Sequence, residues 1–557
     1  MDEVVMDDVL MKDVVMDDAL MDKTGEAVRA TRAQSRWMLL YLMFTALVCG
    51  GLVMVIEVLG SRMIGPFFGV SLFVWTSLIT VALIALALGY VIGGQLADRH
   101  PKAGYLFAII LLSGVAVLLI PQYKLAVLEF CVPMGIRLGA FVSASILFGP
   151  SLFLLGCVSP FLVKLAATEM DNIGATVGGL YALSTLGSVI GTVLTGFVLI
   201  AYMGVNSIFH LTGVLLCVLG LSYFLIWRRL WWVAPLVIGV FFLPSVQSGE
   251  MPSVVAEDGT QATLVANHDS HYGNLKVVDY QYQDRHIREM MIDGLIQGGV
   301  DMTDGQSIYA YPYFLTLLPY ALKPQIDTAL VIGLGAGIVP RWLEQRGITT
   351  DVVDIDAAVF DFAERYFKVN ISGKKVAQDA RYFLQNSSDR YDLVVLDVFN
   401  GDTTPGHLLS LEALTLVRER LAEDGILTVN LVGDLRVSTY MTASVVRTLE
   451  QVFDQVQIYP TVDLDKTGGN GNLALIAYQG GERSADLTRL EGVDISHYAR
   501  QEVLANIGKR FEFPATTPAM ILTDDYNPID VFDSSLRESV RKEILETTHW
   551  DILGYSG

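Results

Sequence analysis

The stretch DTALVIGLGAGIVPRWLEQRGITTDVVDID, residues 327–356, decides how the second half of the chain folds. Its apolar start, 327–333, predicts a buried strand, and the glycine-rich turn GLGAG follows at 333–337. A helix and a second strand at 350–355 come next. A strand, a helix and a strand in this order predict the beginning of a parallel, doubly wound α/β sheet.

The alternation of strands and helices continues beyond this stretch. A helix at 357–368, a short strand before Asp379, another helix and a strand at 391–396 follow one another. This spacing predicts a Rossmann-like domain, and in such a domain the ligand lies at the carboxyl edge of the sheet.

Polar residues at the predicted strand ends indicate a nucleoside site. Glycines permit a tight turn and let a ligand approach the backbone beside a helix N-terminus. Asp354 follows the turn by about 20 residues, where a carboxylate can accept hydrogen bonds from two ribose hydroxyls. NAD and S-adenosyl compounds both satisfy this pattern, so the residues alone leave the ligand open.

Composition separates this half from the residues before it. The chain has 557 residues, of which 52% are hydrophobic and only 17% are charged, and its formal net charge is −21. Such acidity argues against a nucleic-acid partner, because phosphate binding needs clustered Lys and Arg. Long uncharged runs fill 37–246, whereas 250–557 has the composition of a globular domain. The four cysteines have no metal-ligand spacing, so no metal site is expected.

The apolar half predicts a multi-pass bundle of about seven helices. The predicted spans are 37–58, 72–96, 104–121, 138–165, 175–202, 206–227 and 231–246. Pro150 and Pro160 predict a kink in the fourth span. Basic residues at alternate ends place the N-terminus in the cytoplasm. Seven crossings would put the second half outside the cytoplasm and six or eight would put it inside, so its side stays open.

Two other features of the first half matter for the alternatives. A ten-residue acidic motif at 4–13 nearly repeats at 14–23, which predicts a disordered or loosely helical tail over 1–30. The loop GGQLADR at 93–99 resembles the cytoplasmic loop motif of major-facilitator transporters. Transport therefore remains one alternative for the bundle.

Motifs along residues 255–535 resemble, in order, those of the spermidine synthase (polyamine aminopropyltransferase) family. They are SHYG at 270–273, IDGLIQ at 292–297, GLGAG at 333–337, VVDID at 352–356, QDARYFL at 378–384, LDVFNGD at 396–402 and LTDDYNP at 522–528. The first half contains VIEVLGSRMIGPFFG at 55–69, CVSP at 157–160 and YALSTLGS at 181–188. With these motifs it is similar to a bacterial subgroup that fuses such a domain to a helical bundle. This resemblance implies a protein of the bacterial inner membrane, with the lipid bilayer as a partner.

The resemblance also implies a class I S-adenosylmethionine-dependent transferase fold with a small β-rich subdomain in front of it. LKVVDYQYQ and RHIREMMIDG, within 255–300, have the pattern of paired strands that this subdomain needs. The expected organisation is an acidic tail at 1–30, a transmembrane bundle at 31–248, a β-rich subdomain at 250–300 and a Rossmann-like domain at 301–557.

The family reaction transfers an aminopropyl group from decarboxylated S-adenosylmethionine to an amine or polyamine. By resemblance, Asp397 binds the cationic amine and then accepts its proton. Asp354 would hold the ribose, Asp379 the adenine amino group and Gln297 the nucleoside. The expected donor-binding residues are Gln297, Gly333, Gly335, Gly337, Asp354, Asp356, Asp379 and Ala380. The expected acceptor-binding residues are Tyr311, Asn400, Asp402, Asp524 and Asp525.

The sequence departs from the family where the substrates' amines bind. Ala336 replaces the Asp that binds the donor's amine, Asn400 replaces a second acid, and Pro312-Tyr313 replaces a His-Glu pair. These losses keep two alternatives open, namely an S-adenosylmethionine-dependent methyltransferase and a non-enzymatic polyamine or nucleoside sensor or transporter. A homo-oligomer is compatible with the family, and the sequence does not decide it.

Overall fold

The computed structural model describes residues 3–69, 72–166, 173–230, 232, 235, 251–398, 405–529 and 534–555, with side chains from Arg36 onward except at 534–537 and 543. The helices of the first half are α1 Glu3–Phe68, α2 Leu72–Arg99, α3 Ala103–Cys131, α4 Gly135–Leu147, α5 Gly149–Ala166, α6 Ile173–Leu194, α7 Ile200–Tyr202 and α8 Val205–Ile226. A 3-10 turn joins α3 to α4, and a π-helical turn joins α6 to α7.

Within the described residues, six helical segments are long and apolar enough to cross a membrane. The seventh predicted span, 231–246, lies outside the described residues apart from Trp232 and Pro235. The chain leaves regular helix at Phe148, between α4 and α5 and two residues before Pro150, whereas Pro160 lies inside α5. Of the two states expected for the acidic repeat, the structure has the helical one, because α1 includes it. The repeat contains no Pro or Gly that would break a helix.

Glycines let the helices of the bundle approach closely. A Cβ on Gly187 would lie 1.9 Å from the Leu47 carbonyl oxygen, and one on Gly89 would lie 2.4 Å from the Phe153 carbonyl oxygen. Helix α6 therefore packs against α1, and α2 against α5, with their backbones in contact.

The β-rich subdomain is a five-stranded antiparallel sheet in the order β1-β2-β3-β4-β5. Its strands are β1 Ser253–Val255, β2 Gln261–Asp269, β3 Asn274–Tyr282, β4 Arg285–Ile292 and β5 Leu295–Asp301. Strands β3 and β4 pair as the sequence predicts. The turn from β4 to β5 holds Asp293 at φ 48° and Gly294 at φ 78°.

The last part of the chain is a Rossmann-like domain with a seven-stranded sheet in the order β11-β12-β10-β9-β6-β7-β8. Its strands are β6 Thr328–Ile332, β7 Thr349–Asp354, β8 Lys375–Ala377, β9 Tyr391–Leu396, β10 Leu421–Asp434, β11 Gln455–Pro460 and β12 Asn470–Tyr478. Its helices are α9 Tyr311–Leu322, α10 Ile338–Glu344, α11 Ala357–Phe367, α12 Ala380–Asn386, α13 Leu411–Glu419, α14 Thr439–Leu449, α15 Leu464–Thr467 and α16 His497–Asn506, followed by the C-terminal α17 Ser534–Thr547 and α18 Trp550–Leu553.

The sheet is mixed rather than purely parallel as the sequence suggests. Strands β6 to β10 pair in parallel, whereas β12 is antiparallel to both β10 and β11. The reason is the short link between β11 and β12, which holds only the one-turn helix α15. A parallel connection needs a crossover of a dozen or more residues.

The C-terminal helices pack between the bundle and the β-rich subdomain. The Arg541 guanidinium of α17 donates to the carbonyl oxygens of Pro66 at 3.0 Å and of Asp293 at 2.9 Å. Lys276 of β3 donates to the Leu553 carbonyl oxygen at 2.6 Å. The end of α1 is thereby joined to the β4–β5 turn, which lies just before the residues that line the site.

Candidate active site

The glycine-rich turn brings three strand ends together. Gly333, Gly335 and Gly337 have φ of 91°, 50° and 69°, values that residues with a Cβ rarely adopt. A Cβ on Gly333 would lie 2.0 Å from the Asp397 carbonyl oxygen, and one on Gly335 would lie 2.8 Å from that of Gln297. The turn therefore lets β6 contact the end of β9 and the start of β5 directly.

Asp354, at the end of β7, is fixed across this turn. Its two carboxylate oxygens accept the backbone N–H groups of Leu334 and Asp356, each at 2.9 Å. Burial raises the pKa of Asp354 to about 6, although these two hydrogen bonds favour the charged form. Each oxygen keeps a second lone pair, so the carboxylate can still accept two ligand hydroxyls.

Asp356 has an unsatisfied oxygen at the same cavity. One of its oxygens caps α11 by accepting the Ala358 N–H at 3.0 Å. The other, Oδ2, is buried and has no hydrogen-bond partner among the described residues. A buried carboxylate oxygen without a donor is costly, and a ligand hydroxyl would satisfy it.

Asp379 and Ala380 begin α12 at the neighbouring strand end. The Asp379 carboxylate caps this helix by accepting the Tyr382 N–H at 2.9 Å, and it lies 3.4 Å from His407 Nε2. Both Asp379 and Ala380 line the cavity. The capped helix N-terminus holds the carboxylate at the cavity edge.

Asp397 follows β9 directly, and its partners are neutral. Its Oδ1 accepts Asn430 Nδ2 at 2.8 Å, and the Asn430 oxygen in turn accepts Asn472 Nδ2 at 3.0 Å. Burial raises the pKa of Asp397 to about 6. Asn430 and Asn472, on β10 and β12, orient this carboxylate. Sequence reasoning missed both, although an amide inside the apolar run ILTVNLV is a signal.

Gln297 and Tyr311 also line the cavity. Gln297 lies on β5, and the Tyr311 hydroxyl lies 3.5 Å from its carbonyl oxygen. Burial first, and the nearby charge of Asp397 second, raise the pKa of Tyr311 well above its usual value. Tyr311 is therefore a neutral hydroxyl next to Asp397.

The expected acceptor-binding acids are not among the described residues that line the cavity. Asp524 accepts a hydrogen bond from Arg381 at 2.7 Å, and the same guanidinium bonds its second oxygen. Arg381 thus neutralises the charge of Asp524. Asp525 is also not among the described residues that line the cavity. Asn400 and Asp402 lie outside the described residues.

The cavity has a volume of about 640 Å³ and is strongly acidic. The carboxylates that line it belong to Glu289, Asp354, Asp356, Asp379 and Asp397. Among the described lining residues, His407 is the one basic side chain, and there is no Lys or Arg. Three parts of the chain build the wall, namely the β-rich sheet, the Rossmann-like domain and the C-terminal helix α17, which contributes Val540 and Ile544.

Sequence reasoning also missed Glu289 and its neighbours, Tyr280 and Tyr309. All three line the cavity from the β-rich subdomain and the segment after it. A charged residue in a strand usually faces solvent, so Glu289 gives no local signal of a site. Only the packing of this sheet against the Rossmann-like domain and α17 places it at the cavity.

Comparison with known proteins gives one family and two groups of relatives. Residues 308–463 match the spermine/spermidine synthase domain family. An N-terminal histidine N-methyltransferase of Emericella nidulans is 31% identical over 229 residues, which are 37% of this chain and 40% of that protein. A polyamine aminopropyltransferase of Vibrio vulnificus is 34% identical over 128 residues, which are 22% of this chain and 43% of that protein.

The chain thus spans less than half the length of these two relatives. The crystal structure of spermidine synthase from Thermotoga maritima is 15% identical, covers 45% of this chain and 84% of that one, and has a TM-score of 0.34. Residues 308–463, which include the glycine-rich turn and Asp397, form a domain of the spermine/spermidine synthase family.

Proposed function

We propose that this chain is a membrane-bound transferase that moves an aminopropyl group from decarboxylated S-adenosylmethionine to an amine. The ionised carboxylate of Asp397 is the base that receives the proton of the amine. The observation that supports this proposal best is the charge of the cavity, where carboxylates outnumber basic groups and the described wall has no Lys or Arg.

The charge of the cavity favours a donor without a carboxylate. Intact S-adenosylmethionine would bring its own carboxylate among those of the wall, and like charges at short range repel. Both donors carry a sulfonium and an ammonium group, and the decarboxylated donor is attracted more strongly because it lacks the carboxylate. Asp354 and Asp356 would bind the ribose hydroxyls, because one holds spare lone pairs and the other has an unsatisfied oxygen. Asp379 and Gln297 would contact the base and the nucleoside.

Asp397 is suited to the proton transfer. A neutral amine nitrogen attacks the carbon next to the sulfonium, the carbon–sulfur bond breaks, and its electron pair stays on sulfur as methylthioadenosine leaves. The nitrogen then loses a proton, which Asp397 accepts. Because burial raises the pKa of Asp397 to about 6, the carboxylate is ionised at neutral pH yet more basic than an exposed Asp. Asn430 orients the carboxylate.

The proposal is tested by methylthioadenosine release from the detergent-purified full chain, with decarboxylated S-adenosylmethionine and a panel of amines. Asp397→Asn keeps the shape of the side chain but removes the carboxylate that acts as the base, so we expect a loss of about 10²- to 10⁴-fold in kcat. Asp361→Asn, on the exposed face of α11, is the matched control and should retain full activity. Equal activity of the Asp397 and Asp361 variants would contradict the role of Asp397.

One alternative function has support of its own. The relative from Emericella nidulans is named a methyltransferase, and Ala336 stands where the resemblance expects an acid for the donor's amine. Methyl transfer from intact S-adenosylmethionine would release S-adenosylhomocysteine instead of methylthioadenosine. Product identification with each donor therefore separates the two functions.

A further inference from the structure

The wall of the cavity has two chemically different parts. The part on the Rossmann-like domain carries four of the five carboxylates of the described lining, beside the ends of β7 and β9 and at the start of α12. The other part, here called the apolar wall, is built by the β-rich subdomain and α17. Its aliphatic side chains belong to Ile287, Ile292, Leu295, Ile296, Val540 and Ile544. The proposed transfer gives these side chains no role.

The apolar wall holds one carboxylate among its described residues, that of Glu289, which is 7% exposed. The Tyr309 hydroxyl donates to one of its oxygens, and the Tyr280 hydroxyl is also hydrogen bonded to it. Burial raises the pKa of Glu289 to about 7, above the value of about 6 for Asp354 and Asp397. The negative charge at neutral pH is therefore concentrated at the sheet edge.

Helix α17 presents one of its faces to the cavity. Val540, Ile544 and Thr547 follow one another at spacings of four and three residues, which places them on the same side of a helix. Val540 and Ile544 are one turn apart, about 6 Å along the helix axis. The two side chains form an apolar strip along which an aliphatic chain can lie.

The apolar wall adjoins the end of α1 at the turn between β2 and β3. Arg62, in the last two turns of α1, donates to the His271 carbonyl oxygen. Tyr272, the next residue, lines the cavity and is 46% exposed. The segment Arg36–Phe68 of α1 is long and apolar enough to cross a membrane. The cavity lining thus includes an exposed aromatic residue beside the end of this segment.

Two further contacts join the apolar wall to the same end of α1. Arg541, which follows Val540, donates to the Pro66 carbonyl oxygen at 3.0 Å. A Cβ on Gly294, which precedes Leu295, would lie 2.9 Å from this oxygen. Residues from the β2–β3 turn, the β4–β5 turn and α17 therefore line the cavity directly beside residues that contact α1. The apolar wall lies next to the end of a membrane-spanning segment.

We propose that the acceptor is a primary amine with an aliphatic chain, whose nitrogen lies at Asp397 and whose chain lies against Val540 and Ile544. This inference rests on the proposed function and names its acceptor class. The amine nitrogen attacks the carbon next to the sulfonium, the electron pair of the carbon–sulfur bond stays on sulfur, and Asp397 accepts the proton. Such an amphiphile partitions into a bilayer, and the membrane is its source.

Both the apolar wall and the sequence support an acceptor with one nitrogen. An aliphatic chain gains free energy when it leaves water for this wall, whereas a second ammonium group would lose its hydration there. Asn400 and Pro312-Tyr313 stand where the family resemblance expects acidic or basic groups near the amines. An acceptor with a single charge needs fewer acids than a diamine needs.

Equilibrium binding tests the chain without depending on turnover. The full chain, purified in detergent and saturated with methylthioadenosine, is titrated calorimetrically with propylamine, butylamine, hexylamine and 6-aminohexan-1-ol. We expect the affinity to rise about 2- to 4-fold per methylene, so hexylamine should bind about 10- to 60-fold more tightly than propylamine. The terminal hydroxyl of 6-aminohexan-1-ol should remove part of this gain, because it must leave water.

Val540→Thr tests whether the apolar wall is responsible for the gain. The substitution adds a hydroxyl to the wall at almost the same side-chain size, and it should reduce the gain to less than about 2-fold per methylene. Val437→Thr, at a side chain that is 81% exposed, is the matched control and should keep the wild-type gain. Because the amines partition equally into detergent with each variant, a difference between the two variants reports the wall.

Equal affinities of wild type for propylamine and hexylamine, or an equal dependence on chain length in the two threonine variants, would overturn the inference. Tighter binding of 1,4-diaminobutane than of hexylamine would also overturn it. Methylthioadenosine release with 1,4-diaminobutane alone would support the proposed transfer and overturn this acceptor class. Chain-dependent binding without release with any amine would instead contradict the transfer, so the two failures are distinguishable.

Discussion

At the scale of single residues, the cavity depends on carboxylates whose environments differ. Asp354 is held by backbone N–H groups, Asp397 by a side-chain amide and Glu289 by tyrosine hydroxyls. Burial raises the pKa of all three, because none has a cation beside it in the described protein. Such a site attracts cations, and it loses negative charge as the pH falls because its carboxylates become protonated.

The first prediction concerns the pH dependence of Asp397. Protonation removes its ability to accept a proton, so kcat/KM should fall as the pH drops below about 6. Asn430 donates to the charged form and therefore lowers the pKa. Asn430→Leu should raise the pKa and move the acid limb of the pH–rate profile to higher pH. A limb that stays in place, or moves to lower pH, would contradict this assignment.

The residues that sequence could predict are those that follow strands. Asp354, Asp379 and Asp397 stand directly after apolar strand patterns, so their place at the sheet edge follows from the parallel order. Glu289 and Asn430 lie inside strands, where the local pattern does not tell which face meets a cavity. Their positions depend on packing between elements that are distant in sequence, such as β4, β10 and α17.

At the scale of elements, the glycine-rich turn sets the distance between β6 and β9. Gly333 combines a positive φ of 91° with direct contact to the Asp397 backbone. Gly347 has φ 77° but open space where a Cβ would be. Alanine at Gly347 would therefore introduce backbone strain alone, whereas alanine at Gly333 would introduce backbone strain and a steric clash.

We expect Gly347→Ala to cost about 1–2 kcal/mol in the free energy of unfolding, the cost of the left-handed conformation alone. Gly333→Ala should cost more and should also lower turnover, because the added Cβ displaces the backbone of Asp397. Thermal unfolding and methylthioadenosine release measure the two effects. Equal unfolding temperatures and equal activities for the two variants would show that the close contact at Gly333 is unimportant.

The sheet shows where sequence reasoning about elements stops. Strand β9 is observed at Tyr391–Leu396, the range that the sequence predicts, because an apolar run between polar segments has few alternatives. The antiparallel edge formed by β11 and β12 was not predicted, since its direction follows from the short connection between them. Local patterns identify strands, whereas the pairing of edge strands depends on how the chain returns to the sheet.

At the scale of the whole molecule, the second half packs against one end of the bundle. The contacts join Arg62 to the His271 carbonyl oxygen, the Val205 N–H to Asp269 and the Ile136 N–H to Glu538. Ile136 and Val205 lie at the connections α3–α4 and α7–α8, and Arg62 lies in the last two turns of α1. The basic residues Arg99, Lys102, Lys164, Arg228 and Arg229 lie near the opposite helix ends.

This arrangement predicts that the α/β half lies on the side of the membrane opposite the N-terminus. Because basic loops face the cytoplasm, the α/β half should then face outward, which requires one crossing more than the six helical segments of the described residues. Two variants, each with one introduced cysteine, report the two sides of the membrane. One carries the cysteine at Asp465, whose side chain is 83% exposed, and the other at His100, at the basic end of the bundle. The native cysteines are buried and give little background.

In intact cells, a membrane-impermeant thiol reagent should label Asp465→Cys but not His100→Cys, and permeabilised cells should show both. The reverse pattern would place the α/β half in the cytoplasm. The result also bears on the supply of the donor. The usual S-adenosyl donors are made in the cytosol, so a site that faces outward would need its donor on the outer side of the membrane.

The central claim, a cavity built for a donor without a carboxylate, is tested most directly by calorimetric titration of the purified full chain. The donors are decarboxylated S-adenosylmethionine and intact S-adenosylmethionine, with wild type and Asp354→Ala. We predict about tenfold or greater preference for the decarboxylated donor, equivalent to about 1.4 kcal/mol, and loss of binding in Asp354→Ala. Tighter binding of the intact donor would contradict the account and favour methyl transfer. Binding of neither donor would contradict both transferase functions.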